Sequence, residues 1–217
     1  MALPALAAAG NLIRVPDDFP TVTAAVAAAI PGETVGVRAG TYPGEFIPKA
    51  DVDVLGGYDP TFTLRDPEQF ETILVGSPRV INCNQCTAGS STLIDGFTMQ
   101  APPGNLEGAI AYIKGASPAI SHCRFENAVG FRGGAMSLVN SATQLSDNTF
   151  VGNACNEVGG AVAVFSCTQA RVIRCHFQGN TSAFSGAGIF LNASSGIEVQ
   201  NSTFSHNNST AFGGAIL

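Results

Sequence analysis

The sequence predicts an all-β fold, a right-handed parallel β-helix of about 27 residues per coil, and three observations carry that expectation. A phenylalanine recurs at Phe97, Phe125, Phe150, Phe177 and Phe204, at intervals of 28, 25, 27 and 27 residues, which is a solenoid period. Glycine-rich triplets follow the last four at a near-constant distance: Gly133-Gly134-Ala135, Gly159-Gly160-Ala161, Gly186-Ala187-Gly188 and Gly213-Gly214-Ala215. Composition points the same way. Glycine makes up 25 of 217 residues and only 12% are charged, against an ordinary helical or α/β enzyme core, while 45% apolar content supplies a core and argues against disorder.

The opening residues 1–12, beginning Met-Ala-Leu-Pro-Ala-Leu-Ala-Ala-Ala-Gly, read either as the tail of a secretory signal or as an Ala-rich disordered arm. Residues 13–33 form the expected N-terminal cap. Pro20 to Ile30 places Val22, Val26, Ala29 and Ile30 on one face of a short helix near 21–30, closed by Pro31-Gly32, with Asp17 and Asp18 as helix-start acids. A cap of this kind covers the open end of a solenoid. The β-helix then runs over 34–217, with first strands at Thr34–Arg38 and Val52–Leu55.

Within the repeat, Phe150-Val-Gly-Asn153, Phe177-Gln-Gly-Asn180 and Phe204-Ser-His-Asn207 share the pattern F-x-x-N, and Phe125-Glu-Asn127 reads as the same element one residue shorter. After the glycines, apolar residues alternate at Met136/Leu138, Val162/Val164 and Ile189/Leu191, the period of a strand. A second apolar column stands five residues before the Phe, at Ile120, Leu145, Val172 and Val199. A third stands two before it, at Asp95, Cys123, Asn148, Cys175 and Ser202. Five and two differ in parity, so a corner lies between these columns, and each coil has about three short strands. Helical repeats of similar length fail, because Gly-Gly and β-branched residues fall where a helix interior needs good formers.

Several residues resemble known families. The stretch from Pro16 to Phe46 resembles the cap and first turn of pectin-lyase-like β-helix proteins. Leu55-Gly-Gly-Tyr58 and Leu93-Ile-Asp-Gly-Phe-Thr-Met99 look like the first coils of bacterial secreted β-helix proteins. The F-x-x-N and G-G-A-[I/V] grammar is similar to the repeat of polymorphic outer membrane proteins, adhesins and autotransporter passengers. The resemblance implies a secreted, cell-surface or other extracytoplasmic scaffold; it brings no active site with it.

A polysaccharide lyase would need gathered carboxylates for calcium and a basic residue beside them, and a glycoside hydrolase needs neighbouring carboxylates. From Phe97 onward the acids are Glu107, Glu126, Asp147, Glu157 and Glu198, and no two share a turn at a stacking interval. Asp51 and Asp53 read as solvent-facing strand positions. His122, His176 and His206 sit at different offsets from their Phe, which argues against a metal column. Arg171 and Arg174, with Glu198 a coil later, read as a solvated charge cluster, and Asn153, Asn180 and Asn207 as a corner ladder. Sequons at Asn180, Asn192, Asn201, Asn207 and Asn208 matter only for a eukaryotic source. Calcium-roll and ice-binding readings fail for want of a repeated Asp or Thr. Cys83-x-x-Cys86 and the four other cysteines read as a structural disulfide or buried thiols.

A net charge of −6 without a basic run argues against nucleic acid, and no apolar stretch reaches 18 residues. The sequence reading is therefore a non-catalytic scaffold without cofactor or metal, binding a protein or glycan through its lateral sheets or its C-terminal end. The alternative is a polysaccharide-active enzyme. Because Phe212 to Leu217 completes only half a coil, the same reading expects a fragment of a longer solenoid, or docking of that end in a larger assembly.

Overall fold

The computed structural model describes residues 11–217; the Ala-rich arm over 1–10 lies outside them. The chain is a parallel β-solenoid whose strands pair with their equivalents one coil away. Sheet 1 has eight strands: Leu12–Val15, Thr34–Arg38, Asp53–Tyr58, Leu93–Asp95, Ala119–Ser121, Gln144–Ser146, Arg171–Ile173 and Glu198–Gln200. Sheet 2 has seven, from Gly40–Pro43 through Thr149–Val151 to Thr203–Ser205. Sheet 3 is made of two-residue strands at Val129–Gly130, Ala154–Cys155, Thr181–Ser182 and Asn208–Ser209. Sheet 4 comprises Ile81–Asn84, Ala111–Lys114, Met136–Val139, Val162–Phe165 and Ile189–Asn192. A full repeat coil thus has four strands rather than three; the extra one fills the turn between the Asn corner and the glycines.

The cap differs in detail from its expectation. Leu12–Val15 is already a strand, paired in register with Thr34–Val37, so sheet 1 begins within the residues assigned to the arm and cap. The helix spans Val22–Ala28; Thr21 caps it by accepting from the Ala24 N–H at 3.1 Å, and the Lys49 ammonium reaches the Ala27 carbonyl at 3.0 Å. Val22, Ala25 and Val26 are buried, whereas Ile30 lies beyond the helix and is 62% exposed. Asp17 and Asp18 do not start the helix. Asp18 is held by Arg14 at 3.0 Å and Asp17 by Arg38 at 3.3 Å.

The inner columns require two register corrections. Phe125 pairs with Met99, not Phe97, and Met99 with Leu74. The five-residue rule already contains the answer, since Ile94 stands five before Met99 as Ile120 stands five before Phe125. Phe97 belongs instead to the column of Cys123, Asn148, Cys175 and Ser202. Its ring packs over Gly56, where a Cβ would lie 2.8 Å from it. Asp95, placed in that column on sequence, pairs with Ser121 on the outer face of sheet 1. The second correction concerns Asn127. It occupies the left-handed position of Gly152 (φ 55° against 63°), and Ala128 takes the place of the ladder asparagine. The missing residue of that coil therefore falls in the turn after Gly130, not in the F-x-x-N element.

The four phenylalanines in register stack face to face, with centroids 4.8, 4.8 and 4.7 Å apart from Phe125 up to Phe204. Around them lie Ile94, Ile120, Leu145 and Val172 from sheet 1, and Met136, Leu138, Val162, Val164 and Ile189 from sheet 4, all buried.

Candidate functional site

The corners are where this sequence places its polar chemistry, and most of that chemistry is inward. The Asn153 amide donates to the Phe125 carbonyl (3.0 Å) and to Asn180 Oδ1 (3.0 Å), while its Oδ1 accepts the Ala128 N–H (3.1 Å). Asn180 repeats the pattern to Phe150 O and Asn207 Oδ1, and Asn207 donates to Phe177 O. Asn148, in a different corner, does the same between Ile120 O (2.8 Å) and the Cys123 N–H (2.9 Å). In sequence it looked like a member of an apolar column; the signal for its role was its place next to the left-handed Asp147, a position also held by His122 and Arg174 in other coils.

The cysteines divide into two groups. Cys83 and Cys86 are joined by a disulfide, whereas Cys123, Cys155, Cys167 and Cys175 are free and buried. Burial pushes the Cys123 thiol up to about 12, and Cys155 and Cys175 up to about 11. At neutral pH these are protonated, so they serve as small corner groups and not as nucleophiles.

The repeat glycines also have a structural office. Gly133 and Gly159 hold φ of 63° and 73°, and a Cβ on Gly134 would lie 2.1 Å from the Gly160 carbonyl oxygen. Gly160, Gly186, Gly213 and Gly214 recur at the same turn, with a Cβ on Gly160 equally obstructed by the Ala187 carbonyl. This turn folds over the outer side of sheet 4, so that the outward Ser137 and Ala163 are fully buried.

Every carboxylate from Asp95 onward is paired with an arginine. Asp95 is held by Arg65, Glu126 by Arg124 (2.6 Å), Asp147 by Arg174 (2.7 Å) and Glu198 by Arg171 (2.7 Å). Glu107 and Glu157 share Arg132, the first at 3.5 Å. Asp95 is the most enclosed, its side chain only 8% exposed. Burial alone would raise it, but the Ser121 hydroxyl (2.6 Å), Arg65 and the His122 ring together hold it below the usual carboxylate range. His122 Nδ1 lies 2.7 Å from that carboxylate and His176 Nδ1 lies 2.6 Å from Thr203 Oγ1, so the histidines do not converge. Among the described residues no group of three His, Cys, Asp or Glu side chains has metal-binding geometry. Asp53 is half-buried and accepts the Leu93 N–H at 2.9 Å; burial raises its carboxyl, with Asp51 adding to the effect.

The outer faces are unequal. Sheets 1 and 2 and their corners present Ser, Thr, Gln and the ion pairs of Asp95, Glu126, Asp147 and Glu198. The outward phenylalanines of the repeat region gather on sheet 4 and the corner leading into it: Phe131, Phe165 and Phe190 half-buried, Phe184 and Phe212 exposed. Phe184 and Phe212 are 56% and 69% exposed. Between the corner and the sheet lies an open groove of about 610 Å³, lined by Phe165, Phe184 and Phe190 together with Arg132, Glu157 and Asn192. The Arg132 guanidinium lies 5.1 Å from the Phe131 centroid and 5.7 Å from that of Phe165. This is the one face of the repeat where large apolar side chains collect, and sequence alone did not single it out because its members occupy different positions in successive coils.

Residues 79–216 match the family described as right-handed β-helix region. The chain belongs to this family. No curated protein sequence matches the chain. Among solved structures, the β-helix is similar to a protein of Parabacteroides merdae described as a "putative glycosyl hydrolase", at 11% identity and a TM-score of 0.43, over 80% of this chain and 83% of that one. No helix among the described residues is long and apolar enough to cross a membrane.

Proposed function

We propose that this β-helix is a non-catalytic extracytoplasmic scaffold that engages a partner through the Phe-bearing lateral face of sheet 4. The observation that carries the non-catalytic reading is the pairing of all six carboxylates from Asp95 onward with arginines. A glycoside hydrolase needs one carboxyl kept protonated by a raised pKa and a second, ionised one facing it across the scissile bond. Pairing with arginine does the reverse: it occupies the carboxylates, and Asp95, Glu126 and Asp147 are held below the usual carboxylate range. Asp53, whose carboxyl is raised, is engaged by a backbone N–H of the next coil, a structural use of that group.

The Cys83–Cys86 disulfide and the resemblance of the repeat to polymorphic outer membrane proteins support an oxidising, extracytoplasmic setting. Exposed Phe gathered on one face supports binding there, since contiguous apolar surface on a soluble chain marks interaction sites. The test is incubation with a panel of uronic-acid and neutral polysaccharides. We expect neither reducing-end release nor lyase absorbance; turnover that disappears on replacing a single carboxylate, with Asp53→Asn tried first, would replace this reading with an enzymatic one.

A further inference from the structure

The groove on sheet 4 has a charge pattern that its own chain leaves unfinished. Along the edge leading up to it, acids and bases alternate: Glu45, Arg79, Glu107, Arg132, Glu157. Arg79 feels both Glu45 and Glu107 and donates to the Glu107 carbonyl at 2.8 Å; Arg132 bridges Glu107 and Glu157. Three carboxylates and two guanidinium groups leave one negative charge, and Glu157 is the last member. One coil higher, where the alternation calls for a cation, stand Phe184 and Ser185, with Phe190 on the adjoining strand. The nearest other basic residue on this face, Lys114, pairs with Val139, two coils below Phe165 in register, and so about 10 Å down the axis.

We propose that the groove receives a basic side chain, Lys or Arg, of a partner protein, seated against Phe184 and Phe190 beside Glu157. This rests on the reading of the sheet 4 face as a binding surface and names what binds there. Arg132 already displays the chemistry from within, its guanidinium lying against Phe131 and Phe165 while Glu157 holds it above its ordinary pKa. An incoming cation would repeat that arrangement one coil up, with ring faces below it and a carboxylate at its side. Protein is favoured over glycan because the walls are Phe rings and the charge beside them is negative, a combination that suits a cation. Asn192 is the amide available to read hydroxyl groups.

The experiment is panning of a phage-displayed random dodecapeptide library on the full chain, with counter-selection on Phe190→Ser. Enriched peptides should carry Lys or Arg next to an apolar residue. A synthesised winner should bind at least 10-fold more weakly to Glu157→Gln and to Phe184→Ser, a change at a largely exposed corner side chain that leaves the circular dichroism spectrum intact, and should weaken as salt rises. Gln178→Ala on sheet 2 should change nothing. Winners without a basic residue, indifference to Glu157→Gln, or no enrichment over the counter-selected variant would each overturn the proposal. So would a concentration-dependent dimer abolished by Phe184→Ser, which would make a second copy the occupant. Polysaccharide turnover would refute the scaffold reading instead, whatever the peptides do.

Discussion

The coils before residue 100 and those after it are built on different principles. From Ala119 onward the coils share the same Phe and aliphatic columns, so most inner side chains rest on an equivalent in the adjoining coil. Phe rests on Phe and Asn bonds Asn. Before that point each coil is individual. Residues 59–71 leave the solenoid altogether, tied down by the Asp59 carboxylate, which accepts the N–H groups of Thr61, Thr63 and Leu64 and the Thr61 hydroxyl. Arg65 then reaches from that excursion to Asp95, and Cys83 is bonded to Cys86. The repeat half draws its stability from nearest-neighbour stacking, which adds up coil by coil. The opening part shares the apolar core and adds single polar fastenings, each without a duplicate.

Breaking the stack should have the largest effect. Phe150→Ala removes the ring between Phe125 and Phe177 and opens a cavity at the axis, at a cost of about 3–5 kcal/mol in denaturant unfolding. The comparison is sharpened by coupling. Phe150→Ala and Phe177→Ala should be markedly non-additive, because they share one cavity, whereas Phe150→Ala combined with Arg65→Met should add. Additivity of the two Phe substitutions would argue against a continuous stack.

In the opening part, Arg65→Met should come next, at about 3 kcal/mol, because it leaves Asp95 enclosed with only Ser121 and His122 as partners. Asp95→Asn in the same background should recover much of that loss, since the stranded charge is then gone. If thermal unfolding shows no recovery, Arg65 acts through packing alone. Asn153→Ala should cost about 2 kcal/mol, with the Ala128 N–H left unpaired in the interior and the Phe125 carbonyl stripped of its side-chain donor. Hydrogen exchange should find the loss concentrated at Ala128, one coil away from the substitution.

The same division decides what could be read from sequence. Periodicity exposes anything that recurs, so the Phe column, the ladder at Asn153, Asn180 and Asn207 and the glycine turns were all visible. Phe97 falls outside the column that its conspicuous aromatic ring suggests, because the Ile94-to-Met99 spacing holds the true register. Asn127 misled similarly, since asparagine suits both a left-handed turn and a ladder position. Contacts that occur once have no period. The Arg65–Asp95 pair joins residues 30 apart through an irregular excursion, and the Phe131, Phe165, Phe184 and Phe190 face arises from different offsets in successive coils. Only packing brings such residues together.

The smallest expected effect separates the two halves by titration. Asp59 is held down to about 2, first by the Thr61 hydroxyl and then by the Leu64 N–H. A carboxyl with a depressed folded pKa contributes stability that is complete above its unfolded value near 4 and is lost as the pH falls toward 2. The Asn ladder has no titrating group, so acid leaves its hydrogen bonds intact. Asp53 has the opposite sign, since its raised pKa makes acidification favour the folded form slightly. Exchange of the Thr61, Thr63 and Leu64 amides should therefore accelerate, relative to the intrinsic rate, between pH 4 and pH 2, while the Asn153 and Asn180 amides keep their protection. Asp59→Asn should erase the pH dependence of the first group, because the amide has no charge to lose; its single oxygen can keep the Thr63 and Leu64 N–H bonds, while the Thr61 bonds, made to the other carboxylate oxygen, go. If the ladder amides opened first in acid, the excursion would not be the weaker part, and the contrast between single fastenings and stacked repeats would have to be reversed.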